Sequence, residues 1–209
     1  MELIENALTT LDVIKDELGI NDVNSDDRLI RLINSASSYF INKVGRELRY
    51  QEITEHLKGT NSQYFILNNY PIVDVSKILF NGNELDRDSW ELEVRDKNIG
   101  HIYKDDGWYN LITSYGLVGD ATVSHRAYDI TYTFGYVLPK DETPINPRTL
   151  PYDIEDCIID MVLDKYTKLT RKSYGLKALK QGKKSYTFDN SSIKEEVDKV
   201  IDRYKSITI

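Results

Sequence analysis

Tyr128-Asp129-Ile130-Thr131-Tyr132-Thr133-Phe134 alternates apolar or aromatic residues with polar ones without a break. Successive side chains of an extended strand point to opposite faces, so this stretch predicts a half-buried antiparallel strand with Tyr128, Ile130, Tyr132 and Phe134 on its inner side. Trp90-Glu91-Leu92-Glu93-Val94 carries the same two-residue period. Further upstream, Tyr64 to Leu67 and Val73 to Phe80 are short apolar segments bounded by Pro71 and by Asn81-Gly82. Asn-Gly takes positive φ at low cost, which predicts a tight hairpin at that point. Residues 50 to 137 therefore read as a β-rich block.

On both sides of this block the period changes to that of a helix. Thr9 opens a Thr-x-x-Asp12 start, and Leu11, Ile14 and Leu18 share one face up to Gly19, predicting a first helix over residues 10–18. Asn24-Ser25-Asp26-Asp27 places capping residues and negative charge at a second start. Leu29, Leu32, Ile33, Ala36, Phe40 and Val44 then follow at three- and four-residue spacing before Gly45. Beyond the block, Pro144, Pro147 and Pro151 forbid a continuous helix and suggest an extended linker. Ile154, Cys157, Ile158, Met161, Val162 and Leu169 form the stripe of a third helix. Ser192-x-x-Glu195 reads as a capping box for a fourth, with Val197, Val200, Ile201 and Tyr204.

The expected architecture is α+β: a small antiparallel α-helical bundle of about four helices, with the β-rich block inserted between helices 2 and 3. Its expected parts are N-terminal helices in 1–49, the block in 50–139, a Pro-rich linker in 140–151 and C-terminal helices in 152–209.

At 209 residues, 40% hydrophobic and 29% charged, the chain can bury a core as one domain or one domain with a large insertion. No apolar run approaches the roughly 18 residues of a membrane span. The start MELIENALTT lacks the basic and apolar regions of a signal peptide, so a cytoplasm-like compartment is expected. The single Cys157 excludes an internal disulfide and a Cys-rich zinc site, and the Asn-x-Ser at Asn190 reads as chance.

The net charge of -7 argues against a general nucleic-acid binder, but it is unevenly spread. Residues 1 to 170 hold 29 acids against 17 bases, whereas residues 171 to 209 hold 5 acids against 10 bases. Arg171 to Tyr186 is the basic extreme, with Arg171, Lys172, Lys177, Lys180, Lys183 and Lys184, the aromatics Tyr174 and Tyr186, and no acid. Its apolar content is too low for a core of its own, so it reads as a basic arm that orders on an acidic protein partner or on phosphates.

Candidate chemistry is sparse. His56, His101 and His125 are too far apart to form a spacing motif, and no phosphate loop, Gly-x-Ser-x-Gly elbow or His-Glu-x-x-His helix is present. Cys157 lies on an apolar stripe without a basic neighbour and reads as a core residue. Asp156, Asp160 and Asp164 recur every four residues and would stack on one helix face, an acidic ridge suited to solvent, to a basic neighbour or to a channel that DNA must traverse without sticking. No enzyme, cofactor or metal site is expected.

Several stretches in order resemble the head-to-tail connector (adaptor, head completion) family of tailed bacteriophages. They begin with Thr10-Leu11 and Lys15 to Gly19-Ile20, then Asp26-Asp27-Arg28-Leu29-Ile30, Ile33 to Tyr39 and Gly45-Arg46. Tyr70-Pro71-Ile72-Val73, Asn81-Gly82, Thr131 to Tyr136 and Leu150 to Asp156 follow, and Tyr174-Gly175-Leu176-Lys177, Gly182, Ser185-Tyr186-Thr187 and Val197 to Tyr204 complete the series. The β block is longer than a minimal helical connector needs and carries Trp90 and Trp108. The resemblance implies a structural virion subunit at the head–tail interface, assembled in the host cytoplasm into a ring, expected to be dodecameric. It implies as partners the portal protein and a stopper or tail-side connector protein, with DNA passing through the channel without specific binding. Lys177, Lys180, Lys183, Lys184 and Tyr186 would then contact the portal, and Asp156, Asp160 and Asp164 the channel or a subunit interface. The competing reading is a nucleic-acid- or carbohydrate-binding module that uses the aromatic β block as a stacking surface.

Overall fold

The computed structural model describes residues 1–92, 100–110, 112–114, 121–123, 127–170, 178–181, 184–187 and 191–206. The fold is α+β, and its contacts divide it into two compact units, Met1–Arg46 with Val137–Thr208, and Glu47–Tyr136.

The first unit is built from helices. α1 spans Leu11–Leu18 and ends at Gly19. Its cap is Thr10, whose hydroxyl accepts from the Val13 amide at 3.3 Å. The expected cap, Thr9, is instead buried and donates to a Glu155 carboxylate oxygen at 2.8 Å, because a buried carboxylate is the more demanding partner. α2 spans Asp26–Val44 and buries Leu29, Leu32, Ile33, Ala36, Phe40 and Val44 on one face, together with Ile30 and Ser37. Asp26 and Asp27 in its first turn complement the helix dipole, and Gly45 closes it at φ 75° by donating to the Ile41 carbonyl at 2.9 Å. Ser25 stands at the N-cap but makes no capping bond; its hydroxyl pairs with that of Tyr166 at 3.1 Å.

α3 spans Tyr152–Thr170, directly after Pro151, and buries Ile154, Cys157, Ile158 and Val162. The expected stripe stops short of Leu169, which is 39% exposed in the last turn. α4 spans Ser191–Tyr204, so Ser192, the expected cap, already lies inside the helix. Its Val197 and Ile201 are buried. α3 packs against both α2 and α4, and α1 against α2 and α3.

The proline-rich stretch is folded back on itself, not extended. Pro139–Asp141 form a 3-10 turn, Thr143 and Asn146 exchange backbone hydrogen bonds at 3.0 and 3.1 Å, and the Thr149 and Leu150 amides both return to the Val137 carbonyl at 3.2 Å. Proline fixes φ and removes donors, which suits a tight closed loop as well as an open one.

In the second unit, β1 (Gln51–Leu57), β3 (Ile72–Phe80), β4 (Asn83–Glu84) and β9 (Tyr128–Phe134) form an antiparallel sheet in the order β1-β9-β3-β4. β9 alternates buried and half-buried residues along its whole length, with Tyr128, Ile130, Tyr132 and Phe134 inward, and is hydrogen-bonded on both edges. Asn81 (φ 51°) and Gly82 (φ 79°) make the expected tight turn between β3 and β4. A second sheet has the order β2-β6-β5, from Tyr64–Ile66, His101–Tyr103 and Glu91–Leu92, and β7 (Ile112–Ser114) pairs with β8 (Ala121–Val123). The strand expected from Trp90 is described only as Glu91–Leu92, since residues 93–99 lie outside the described residues.

The two larger sheets share one core. Phe65 and Ile102 come from the second sheet and Val75, Ile78, Ile130 and Tyr132 from the first, with Trp90 and Trp108 between them. Trp108 meets the rings of Phe65 at 5.0 Å and Tyr128 at 5.5 Å edge-to-face, the arrangement that the ring quadrupoles favour.

Candidate functional site

The predicted site residues fall in the helical unit, on α3 and on the segment joining α3 to α4. Four-residue spacing on α3 sets Asp156, Asp160 and Asp164 along one face. Asp156 and Asp160 are exposed and have no cation within ion-pair reach among the described residues. Asp160 faces Glu196 of α4, Asp156 and Glu17 of α1. Partial burial first, and then these three carboxylates, raise its pKa above the usual carboxylate value. Asp164 belongs to the row only in spacing, because Lys168 one turn on neutralises it at 2.6 Å. Among the described residues the ridge thus reduces to two carboxylates on α3 without a cation partner, Asp156 and Asp160, joined by Glu196 and Glu17, whose contribution sequence spacing did not reveal.

The basic segment is organised differently from the arm expected. Ala178–Gln181 (β10) and Lys184–Thr187 (β11) pair antiparallel, Leu179 opposite Tyr186, Lys180 opposite Ser185 and Gln181 opposite Lys184. A short hairpin satisfies its backbone groups without a core, which is why low apolar content did not exclude structure here. Lys180, Lys184 and Tyr186 lie on its strands, whereas Lys177 and Lys183 lie outside the described residues.

Cys157 is a buried free thiol. Burial, and then the charges of Asp160, Asp153, Asp156 and Glu196, push its pKa up to about 11, so at neutral pH it is a thiol and not a nucleophile. His56 pairs with Asp129 on the exposed side of the first sheet, His101 lies 5.9 Å from the Tyr64 ring, and His125 lies outside the described residues. Among the described residues no group of His, Cys, Asp or Glu is placed to hold a metal, and no helix is long and apolar enough to cross a membrane.

Two features of this unit were not foreseen. Glu155 is 4% exposed and ion-paired with Arg148, whose guanidinium lies 4.1 Å from the Tyr152 ring centroid. With Thr9 as the third member, this group pins the N-terminal segment and the proline loop to α3. A single Glu beside an apolar stripe carries no mark of burial in sequence. The second is a cleft of about 230 Å³ with an apolar floor of Tyr39, Met161, Ile193 and Val197, contributed by α2, α3 and α4.

The sequence matches the family model of the head completion protein over residues 7–207. The chain belongs to the head completion protein family. The ordered motifs along the sequence had pointed to this family. No curated protein matches the chain. Its fold is similar to that of a chain in the neck of an empty GTA particle computed with C6 symmetry, with a TM-score of 0.54 at 13% identity over 100% of this chain and 95% of that one. A chain in the neck of a native GTA particle computed with C12 symmetry gives 0.54 at 11% identity, over 100% and 94%. One from the virion of a native gene transfer agent particle gives 0.53 at 11%, over 100% and 95%. At such identities the likeness is one of fold, and the chain shares it along its whole length.

Proposed function

We propose that this member of the head completion protein family is a structural head-to-tail connector subunit of a tailed phage, forming a ring, dodecameric when assembled, that sits on the portal of the DNA-filled head and offers the tail its attachment channel. The observation that carries the reading is the family match over residues 7–207. The fold shared with neck chains of particles computed with C6 and C12 symmetry supports the ring. In this reading the helical unit is an antiparallel bundle and the β-rich unit an insertion between α2 and α3. The protein is assembled in the host cytoplasm and resides in the virion, with the portal and a stopper or tail-side connector protein as partners.

The basic hairpin is the portal-facing element, through Lys177, Lys180, Lys183, Lys184 and Tyr186. Each copy contributes a modest electrostatic contact, and repetition around the ring makes the whole attachment firm. The free carboxylates Asp156 and Asp160, with Asp164 beside them, line the channel or a subunit interface, where negative charge repels the phosphate backbone and lets DNA pass.

The test is docking of the full chain to purified portal assemblies, followed by sedimentation and negative-stain microscopy. A ring on the portal, lost when Lys180, Lys183 and Lys184 are changed to Glu, is expected. Docking undiminished by that reversal would contradict the role of the hairpin, and no docking by the native chain would contradict the connector reading.

A further inference from the structure

Ile145 is 95% exposed, the most exposed of the large apolar residues described. A lone exposed apolar side chain is ordinary on a protein surface, but this one is held out by a built support. The turn Thr143-Pro144-Ile145-Asn146 is closed in both directions by backbone hydrogen bonds of 3.0 and 3.1 Å, and the Asn146 amide also reaches the Thr143 hydroxyl at 3.0 Å. Below it the loop is pinched shut at Val137 by the Thr149 and Leu150 amides and by a 2.9 Å bond from the Val137 amide to the Thr149 hydroxyl. A side chain presented on so constrained a turn loses little entropy on docking.

The same unit carries the complementary feature, the cleft of about 230 Å³ floored by Tyr39, Met161, Ile193 and Val197. Small-molecule sites run to roughly 300–1,000 Å³, so this cleft suits an inserted side chain better than a ligand. Its charges favour an anionic visitor. Lys165 and Lys194 line it and have no ion-pair partner among the described residues. Of the two acids that line it, Asp164 is engaged by Lys168, which leaves Asp198 against two lysines. The turn brings such a charge: Glu142 immediately precedes Thr143 and has no cation partner among the described residues, while Asp141 is paired with Lys140 at 3.4 Å.

We infer that the Thr143–Asn146 turn of one copy seats Ile145 in the α2–α3–α4 cleft of the next copy, with Glu142 facing Lys165 and Lys194. The inference rests on the ring reading above. Knob and cleft are different patches of one chain, so the contact is heterologous; repeated through a rotation that closes, it generates a ring with no free end.

The test uses full-length protein in assembled particles. Ile145→Cys combined with Lys194→Cys puts thiols at two exposed positions, and only bonds between copies raise the mass; Cys157 is buried and does not compete. Mild oxidation is expected to give a ladder of covalent oligomers on a non-reducing gel that neither single variant gives. Complete particles that contain the double variant without a ladder overturn the seating and leave the ring standing. Complete particles made by a strain lacking the gene overturn the connector reading, and the seating with it. A second measurement covers the charges on the exposed rim: Glu142→Lys is expected to lower the yield of joined particles about tenfold, since the loss recurs at every copy, and Lys194→Glu to restore it. Failure of the compensating change to restore yield contradicts the contact.

Discussion

The two units use opposite materials for opposite purposes. The β-rich unit turns its aromatic residues inward: Trp90, Trp108, Tyr128, Tyr132 and Phe134 are all within 3% of full burial and serve a single core. The helical unit has a largely aliphatic core, with Phe40, fastened by a buried ion pair, and leaves outside it like-charged carboxylates, a projecting isoleucine and lysines that have no ion-pair partner among the described residues. The two tryptophans of the aromatic block are buried, whereas Tyr50, Tyr64 and Tyr109 of the same unit stay exposed.

This contrast can be broken at its strongest point first. Trp108→Ala removes a fully buried ring and leaves the Gln63 carbonyl without the indole N–H that reaches it at 3.1 Å. We expect a loss of about 4 kcal/mol and a melting temperature lower by roughly 10 °C in calorimetry; a change under about 1 kcal/mol would mean that the aromatic cluster is not the core. In the helical unit, Glu155→Ala strands the Arg148 charge and should cost about 3 kcal/mol, whereas Arg148→Met with Glu155→Leu should cost less than the single change, because removing a whole buried pair avoids the uncompensated charge. A double variant less stable than Glu155→Ala would show that the pair itself is net stabilising.

A smaller effect sharpens the surface half of the comparison. Asp160 has a folded-state pKa above its ordinary value, owing to burial and then to Glu196, Asp156 and Glu17. Its contribution is favourable while it is protonated, below the unfolded value of about 3.9, and is lost as pH rises through the higher folded value. Asp160→Asn should therefore raise the melting temperature by about 1 °C at pH 7, and the gain should vanish in acid. A loss of stability at pH 7 would mean that the carboxylate has a cationic partner.

Where the fold was legible in the sequence, one local pattern was enough. β9 reads from strict alternation, α2 from its apolar face between acidic start and Gly45, and the β3–β4 turn from Asn81-Gly82. What stayed hidden depends on partners distant in sequence. Thr9 looks like a cap until Glu155, 146 residues away, claims its hydroxyl. Leu169 continues a stripe that outlasts its packing partners. The β10–β11 hairpin pairs four residues with four and has little apolar signal to announce it. Of the candidate site, the spacing of the acidic ridge and the charge of the basic segment were visible. The neighbours that decide which charges remain free were not: Lys168 for Asp164, Glu196 and Glu17 for Asp160.

The most direct test of the connector role is electron microscopy of lysates from a producing strain with this gene deleted, scoring heads, tails and joined particles. The account predicts filled or emptied heads and free tails side by side, unjoined, with joining restored by the native gene; normal joined particles in its absence would contradict it.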